Sequence, residues 1–168
     1  RAGYRSGSVG TWHLGDPRLY PEDQGYDENR CGCFNGQPPN YFDPYNSPKS
    51  KHESLREGIH GLPGRKPGEY LTHREADEAE ALIRGWHARK QPFFLQLSHY
   101  AVHTPIQAIE EVAARYQREG KSVQNARYAA MVESVDDSTR QIMETLKELG
   151  IDKDTLVIFT SDNGGLDT

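Results

Sequence analysis

Two apolar runs of strand length lie in the second half of the sequence, with helical patterns before and between them. Phe93–Leu97 follows one stripe of apolar residues at helical spacing, and Thr155–Thr160 follows two more. The order helix, strand, helix, helix, strand is typical of βαβ crossovers. Because Thr155–Thr160 is almost wholly apolar, it is predicted to be a strand buried on both faces. We therefore predict an α/β fold, with a mixed, largely parallel sheet flanked by helices.

Each helical pattern has a predicted boundary. The first begins at a capping box over 72–75, in which the Thr72 hydroxyl and the Glu75 carboxylate each bind a free backbone amide. A second helix is predicted over 110–118 and a third over 125–149, with Gly150 as its C-terminal cap. One apolar face is predicted for the third helix: Tyr128, Met131, Val132, Val135, Ile142, Met143, Leu146 and Leu149.

Residues 1–71 differ from the rest of the chain. They are rich in Gly, Pro and Tyr, show almost no periodicity, and carry turn signals every few positions from residue 31 onward. The aromatic residues among them indicate that this segment packs on the rest of the protein, as a substrate-side loop. We predict one domain over 1–168, with an irregular region over 1–71 and a core over 72–168.

Composition argues against two kinds of partner. A net charge of -5 over 168 residues provides no basic surface for nucleic acid. No apolar run approaches the roughly 20 residues that span a bilayer.

The chain opens without a methionine or a signal-peptide pattern, so we expect it to be an internal piece of a longer protein. The oligomeric state is left open.

The two cysteines, Cys31 and Cys33, are separated by one glycine. A disulfide across so short a loop would be strained, and two ligands are too few for a zinc site. We predict two unpaired thiols in a glycine-rich loop.

Polar residues follow each predicted strand, at the sheet edge where α/β proteins bind their ligands. Asp162 and Asn163 come directly after the second strand and precede two glycines. Carboxylate and amide oxygens are hard ligands that suit Ca²⁺ or Mg²⁺. A plain turn is the alternative, because the same residues are common in turns. Two ligands also fall short of the about six to eight oxygens that surround Ca²⁺.

Histidines are the other candidates for chemistry. His99 and His103 have the spacing of a zinc pair on a helix, but the preceding strand and Pro105 argue against a helix there. His103 then lies at the end of a strand, where an imidazole can act as a general acid. His13, in a segment bracketed by glycines, is a second candidate. A structural role is the alternative for both His13 and His103.

Four segments, taken in order, resemble the arylsulfatase family of the alkaline-phosphatase-like superfamily. They are the glycine-bracketed segment at 3–15 and the segments at 92–107, 128–137 and 155–165. The resemblance implies an alkaline-phosphatase-like sheet, incomplete in this chain, and hydrolysis of sulfate esters. It also implies a sulfated small molecule or glycan as the substrate and, by analogy, a periplasmic or secreted location.

The resemblance further implies residue roles. Asp162 and Asn163 match two of the family's Ca²⁺ ligands. His13 matches a histidine that contacts the formylglycine nucleophile and helps to release sulfate from it. His103 matches a histidine near the leaving-group oxygen, which makes it a candidate general acid. In the family, hydrated formylglycine attacks sulfur, the alcohol departs, and the bound sulfate is then expelled.

The sequence also departs from the family pattern. Thr11 stands where the family has a lysine that contacts sulfate. The Cys/Ser-x-Pro-x-Arg segment that becomes formylglycine is absent, as are an Asp-Asp pair of Ca²⁺ ligands and a later lysine. We therefore expect formylglycine to lie upstream of this chain and the chain alone to be inactive. The alternatives are a non-catalytic sulfatase-like binding protein, and a phosphoester or phosphonate hydrolase of the same superfamily.

Overall fold

The computed structural model describes residues 2–16, 18–59 and 61–165. Among these residues the strands are β1 (Arg5–Gly10), β2 (Glu28–Arg30) and β3 (Phe93–Ser98), and the helices are α1 (Glu53–Glu57), α2 (Leu71–Ala88), α3 (Glu110–Arg118) and α4 (Val123–Glu148). The strands form a parallel sheet in the order β2-β1-β3. Helix α2 packs on the sheet, α4 packs on α2, and α3 packs on α4. The predicted α/β class, with parallel strands and flanking helices, is confirmed.

The central strand β1 lies inside the region that was predicted to be irregular, and this prediction is corrected. Its sequence, Arg-Ser-Gly-Ser-Val-Gly, has only one apolar side chain, so it shows no hydrophobic alternation. The structure gives a reason for the small residues. A Cβ atom at Gly7 would lie 2.7 Å from the ring of Trp86, and one at Gly10 would lie 1.9 Å from the carbonyl oxygen of Ser98. Glycine therefore allows α2 and β3 to approach β1 closely.

Two hydrophobic clusters hold the fold together. The smaller one lies between the sheet and α2, where Val9, Leu82 and Trp86 pack against the apolar residues of β3. The larger one is built on the long loop between β2 and α2 (residues 31–70), whose Tyr41 and Tyr45 are fully buried among other loop residues and residues of α2, α3 and α4. Burying a large apolar side chain contributes about 1.5–3 kcal/mol. The prediction that the loop's aromatic residues pack on the rest of the protein is confirmed.

The predicted capping box at the start of α2 is wrong. The helix begins at Leu71 with Tyr70 as its N-cap, and no side chain caps it. Thr72 therefore lies within the first turn and is buried. Glu75 is fully buried as well, and its carboxylate contacts the His99 ring at 2.6 Å and the Tyr100 backbone amide at 3.4 Å instead of an amide of its own helix. The side chains that fit the capping pattern are thus used for tertiary packing.

The other two predicted helices are present. Helix α3 has the predicted bounds, and α4 begins two residues earlier than predicted because the Ser122 hydroxyl caps it, accepting a hydrogen bond from the Asn125 amide at 3.2 Å. Gly150 follows α4 with a φ of 68°, as expected for a C-terminal glycine. None of the helices in the described ranges is both long and apolar enough to cross a membrane.

The predicted apolar face of α4 is only partly correct. Met131 and Leu146 are buried, but Val132 and Met143 are about half exposed. The rest of the buried face consists of small residues: Ala126, Ala130, Ser134, Ser138 and Thr145. Small side chains allow α4 to lie close to α2 and α3, which a stripe of long apolar residues would not.

The predicted buried strand at Thr155–Thr160 is also wrong. This segment forms no strand, and Leu156, Ile158 and Phe159 are 85%, 76% and 73% exposed. An apolar run becomes a strand only where a neighbouring strand can share its backbone hydrogen bonds. The sheet has the order β2-β1-β3, and no strand among the described residues pairs with 155–160.

Candidate active site

His13 and His103, which are far apart in the sequence, line the same open cavity of about 370 Å³. His13 follows β1, and His103 lies in the segment that follows β3, so the ends of two neighbouring parallel strands bring them together. The remaining walls come mainly from the long loop: Phe34, Asn35, Gly36, Gln37, His52 and Leu55. The cavity therefore lies at the carboxyl edge of the sheet, where ligand sites are expected in α/β proteins.

The position of His13 depends on an unusual backbone conformation. Its φ is 50°, in the left-handed region that residues other than glycine rarely adopt. Its backbone amide donates a hydrogen bond to the Cys33 carbonyl at 3.0 Å. The imidazole packs directly over Gly36, where a Cβ atom would lie 2.1 Å from Nδ1. Strained backbone of this kind is common at functional sites.

The hydrogen bonds around His103 identify which ring nitrogen faces a ligand. Nδ1 lies 3.0 Å from the Thr104 carbonyl oxygen and 3.2 Å from the Thr104 hydroxyl; because the carbonyl can only accept, its contact is a hydrogen bond in the tautomer that carries the hydrogen on Nδ1. The Thr104 hydroxyl donates in turn to Gln37 at 3.5 Å. Nε2 has no hydrogen-bond partner in the described part of the chain, and the side chain is exposed. Nε2 is therefore the atom that can gain and lose a proton at the cavity.

A third histidine, His52, also lines this cavity and was not identified from the sequence. It lies just before α1, and its backbone amide donates to the Ser50 hydroxyl at 3.1 Å. The surrounding sequence does not identify His52 as a site residue, because a lone histidine in an irregular loop belongs to no recognisable motif. Only the folding of the long loop over the ends of β1 and β3 brings it to the site.

Asp162 and Asn163 do not line the cavity. They are exposed, on the segment that follows α4, and the Asn163 amide donates to the Asp162 carboxylate at 3.0 Å. Their oxygens are the right type of donor for Ca²⁺, but two residues do not enclose an ion. No group of three or more His, Cys, Asp or Glu residues within the described ranges could hold a metal. Their role as ligands remains a prediction.

His99 is partly buried, with a side chain that is 9% exposed, and both of its ring nitrogens have a partner. Nδ1 lies 2.6 Å from the Glu75 carboxylate, and Nε2 lies 2.8 Å from the Ser138 hydroxyl. This arrangement excludes a zinc pair with His103. It has the geometry of a Ser-His-Glu triad, but Ser138 is only 1% exposed, so a substrate cannot reach its hydroxyl. We refer to Glu75, His99 and Ser138 as the buried triad and assign it a structural role.

Both cysteines are unpaired and buried, which confirms the prediction of two free thiols. Cys33 Sγ lies 3.6 Å from the Tyr100 hydroxyl. Burial raises the pKa of the Cys31 thiol well above its usual value, so the thiol is protonated at neutral pH. Neither cysteine is a candidate nucleophile.

Comparison with known proteins decides the family. A sequence model of the sulfatases matches residues 1–166. The chain belongs to the sulfatase family. Among sulfatases, N-acetylgalactosamine-6-sulfatase of Mus musculus is 36% identical over 174 residues, which cover 98% of this chain and 31% of that protein. Arylsulfatase J of Mus musculus is 31% identical, over 99% of this chain and 28% of that protein.

Solved structures share the fold. The crystal structure of Ps i-CgsB in complex with k-i-k-neocarrahexaose matches with a TM-score of 0.72 and 31% identity, over 88% of this chain and 35% of that chain. PsFucS1 sulfatase from Pseudoalteromonas sp. matches with a TM-score of 0.58 and 20% identity, which shows the fold alone. The sheet and its helices are thus part of the alkaline-phosphatase-like fold of sulfatases. This sulfatase chain spans about 31% of the length of its first curated relatives.

Proposed function

We propose that the protein containing this chain hydrolyses sulfate esters of a glycan, and that this chain supplies two of its catalytic imidazoles. One observation carries the proposal: His13 and His103 line the same cavity at the carboxyl edge of the sheet. The family relationship makes a sulfate ester the expected substrate.

His103 is proposed to protonate the leaving group. Cleavage of the sulfur–oxygen bond leaves negative charge on the alcohol oxygen, and a sugar alkoxide is too basic to depart without a proton. With Nδ1 bound to the Thr104 carbonyl, the imidazolium has one proton left to donate, on Nε2. Donation of that proton to the alcohol oxygen returns His103 to the neutral form.

His13 is proposed to act on the other side of the sulfur atom, next to the nucleophile. The formylglycine nucleophile that the family implies lies outside this chain. We further propose that Asp162 and Asn163 supply two oxygen ligands to Ca²⁺ in the complete protein, where the ion would neutralise charge on the sulfate. A location in the periplasm or outside the cell is part of the same proposal.

A glycan substrate is supported by the cavity wall and by the relatives. Gln37 and His52 offer an amide and an imidazole group that can form hydrogen bonds with sugar hydroxyls. One relative is named N-acetylgalactosamine-6-sulfatase, and one solved structure contains k-i-k-neocarrahexaose.

The test compares two esters in the full-length protein. Nitrophenolate departs readily without a proton, whereas a sugar alcohol does not. We expect His103→Ala to lower kcat about 100-fold or more on a glycan sulfate and much less on 4-nitrophenyl sulfate. His87→Ala, at the end of α2 and outside the cavity, is the control and should change neither rate. Equal losses of activity on both esters would contradict the role of His103.

Thr11 favours a second candidate, a sulfatase-like protein that binds its ligand without hydrolysing it. Thr11 follows β1 directly, and its backbone amide donates to the Ser98 carbonyl at 2.7 Å. Its side chain brings no charge to the sulfate. Turnover by the unaltered full-length protein would exclude this candidate, whereas turnover that appears only in Thr11→Lys would support it. Assaying phosphate and sulfate esters with the same leaving group tests the phosphoester hydrolase alternative.

A further inference from the structure

The hydroxyl of Tyr41 lies between two carbonyl oxygens of the segment that carries His103. It is 2.7 Å from the Tyr100 oxygen and 2.9 Å from the His103 oxygen. Tyr41 belongs to the long loop and is fully buried. Its hydroxyl therefore links the loop directly to the backbone of the proposed general acid.

The surroundings of Tyr41 hold its ring in place. Its backbone amide donates to Gln107 Oε1 at 2.9 Å, and its carbonyl accepts from the Leu71 amide at 2.8 Å. Its ring stacks on Tyr70, with the centroids 5.8 Å apart. Burial, together with the charge of Glu75, raises the pKa of Tyr41, so its hydroxyl keeps its hydrogen and remains a donor.

The backbone between Tyr100 and His103 forms a turn that is held from several sides. The His103 amide donates to the Tyr100 carbonyl at 2.9 Å. The Tyr100 hydroxyl donates to the carbonyls of Cys31 and Asn35, at 3.1 and 3.3 Å. Within the described residues, the His103 side chain itself forms hydrogen bonds only with Thr104. The position of its imidazole is therefore set mainly by this turn.

We propose that Tyr41 is a positioning residue for His103, which places Nε2 against the leaving-group oxygen by holding the backbone of the turn. This inference rests on the proposed function, because it concerns the same proton transfer. Removal of the hydroxyl lets the turn shift, and small misplacement of a catalytic group can lower a rate by up to about 100-fold.

The main variant is Tyr41→Phe in the full-length protein. We expect kcat on a glycan sulfate to fall about 10-fold or more, with KM unchanged and with less than about a two-fold change on 4-nitrophenyl sulfate. Tyr70→Phe is the matched control. It removes a hydrogen bond of the same kind from the same cluster, to the Gln107 carbonyl at 2.9 Å, but does not touch the His103 turn. It should leave both rates nearly unchanged.

A double-mutant cycle separates positioning from general stability. In the His103→Ala background, Tyr41→Phe should cause no further loss on the glycan sulfate, because the group that it positions is gone. A loss of the same size in both backgrounds, or equal losses on both esters, would overturn the inference. If Tyr41→Phe does not fold, Gln107→Met, which frees the Tyr41 amide, should show the same dependence on leaving group. Uniform losses in Gln107→Met would equally overturn the inference.

The two proposals fail in different ways. An unaltered protein that hydrolyses neither ester contradicts the proposed function itself. A protein in which His103→Ala shows the leaving-group dependence, but Tyr41→Phe does not, contradicts only the role of Tyr41.

Discussion

Nδ1 of His99 lies 2.6 Å from Oε2 of Glu75, and through this contact the segment that leaves β3 is joined to α2. Ser138 completes the buried triad from α4, so one imidazole connects three separate parts of the chain. Both Glu75 and Ser138 are almost wholly inaccessible to water. The triad thus fixes the start of the segment that leads to His103.

Removing one partner of the buried triad should destabilise the protein strongly. We expect Glu75→Ala to lower the free energy of unfolding by about 1.5–3 kcal/mol or more, because the His99 ring and the Tyr100 amide lose the buried carboxylate that they contact. Ser138→Ala should cost about 1 kcal/mol, since one hydrogen bond is lost. Urea unfolding followed by circular dichroism measures both. Glu144→Ala, an exposed residue of the same helix as Ser138, is the control and should change little. A similar effect at both glutamates would contradict the role of Glu75.

Gly10→Ala should disrupt the contact between β1 and β3. Its Cβ atom would meet the Ser98 carbonyl oxygen at 1.9 Å, in a backbone with a φ of 97°. Gly25→Ala is a close control, with a φ of 100° and nothing within 4 Å of the added atom. Both variants carry backbone strain of about 1–3 kcal/mol, but only Gly10→Ala adds a collision of about 1–3 kcal/mol or more. If the melting temperature falls equally in both variants, the collision is excluded.

The two thiols should be unreactive in the folded protein. Both are about 1% exposed, and burial raises the pKa of Cys31, so little thiolate is available at pH 8. A disulfide reagent that releases a coloured thiolate should therefore react with neither cysteine until urea is added. Rapid reaction before unfolding would show that the Cys31–Cys33 loop opens in solution.

Glu80 should give part of the stability a dependence on pH. Its carboxylate accepts a hydrogen bond from Gln141 of α4 at 2.6 Å, and this bond, together with Arg84, holds its pKa below the usual 4.5. The stabilisation is present above the usual pKa and is lost as the pH falls through the lowered value. The difference in stability between the unaltered protein and Glu80→Gln should therefore be constant from pH 6 to pH 8 and shrink below about pH 4.5. If this difference in stability grows as the pH falls, the pKa of Glu80 is raised rather than lowered in the folded protein.

Calcium should bind this chain weakly. Asp162 and Asn163 together supply only a few of the about six to eight oxygens that Ca²⁺ prefers. We expect millimolar Ca²⁺ to leave the melting temperature unchanged, and calorimetry to detect no tight site. Asp162→Ala should behave in the same way. Tight binding that Asp162→Ala abolishes would show that the chain completes a site by itself.

Secondary structure could be predicted from the sequence where hydrophobic periodicity coincides with a signal that marks the end of an element. The bounds of α3, the existence of α2, β3 and α4, and the glycine after α4 all follow from local patterns. The capping pattern at 72–75 failed because the same side chains are needed inside the protein. β1 escaped prediction because a strand between two close neighbours can be built from glycine and serine.

The candidate site shows the same division. His13 and His103 could be selected mainly because they match histidines of the family; the strand before His103 also favours it, whereas the glycines around His13 alone are a weak signal. His52 could not, since its place at the cavity depends on how the long loop folds. Tyr41 could not either, because its hydroxyl acts through a backbone that is distant in the sequence. Roles that arise from tertiary contacts leave no local pattern.

The close approach of Trp86 to Gly7 has a consequence for how this sequence can evolve. The indole occupies the space that a side chain at position 7 would need, so position 7 cannot enlarge while Trp86 stays. Among homologues, we expect alanine or serine at position 7 only where position 86 carries a smaller ring or an aliphatic residue. Substitutions at these two positions should therefore be correlated.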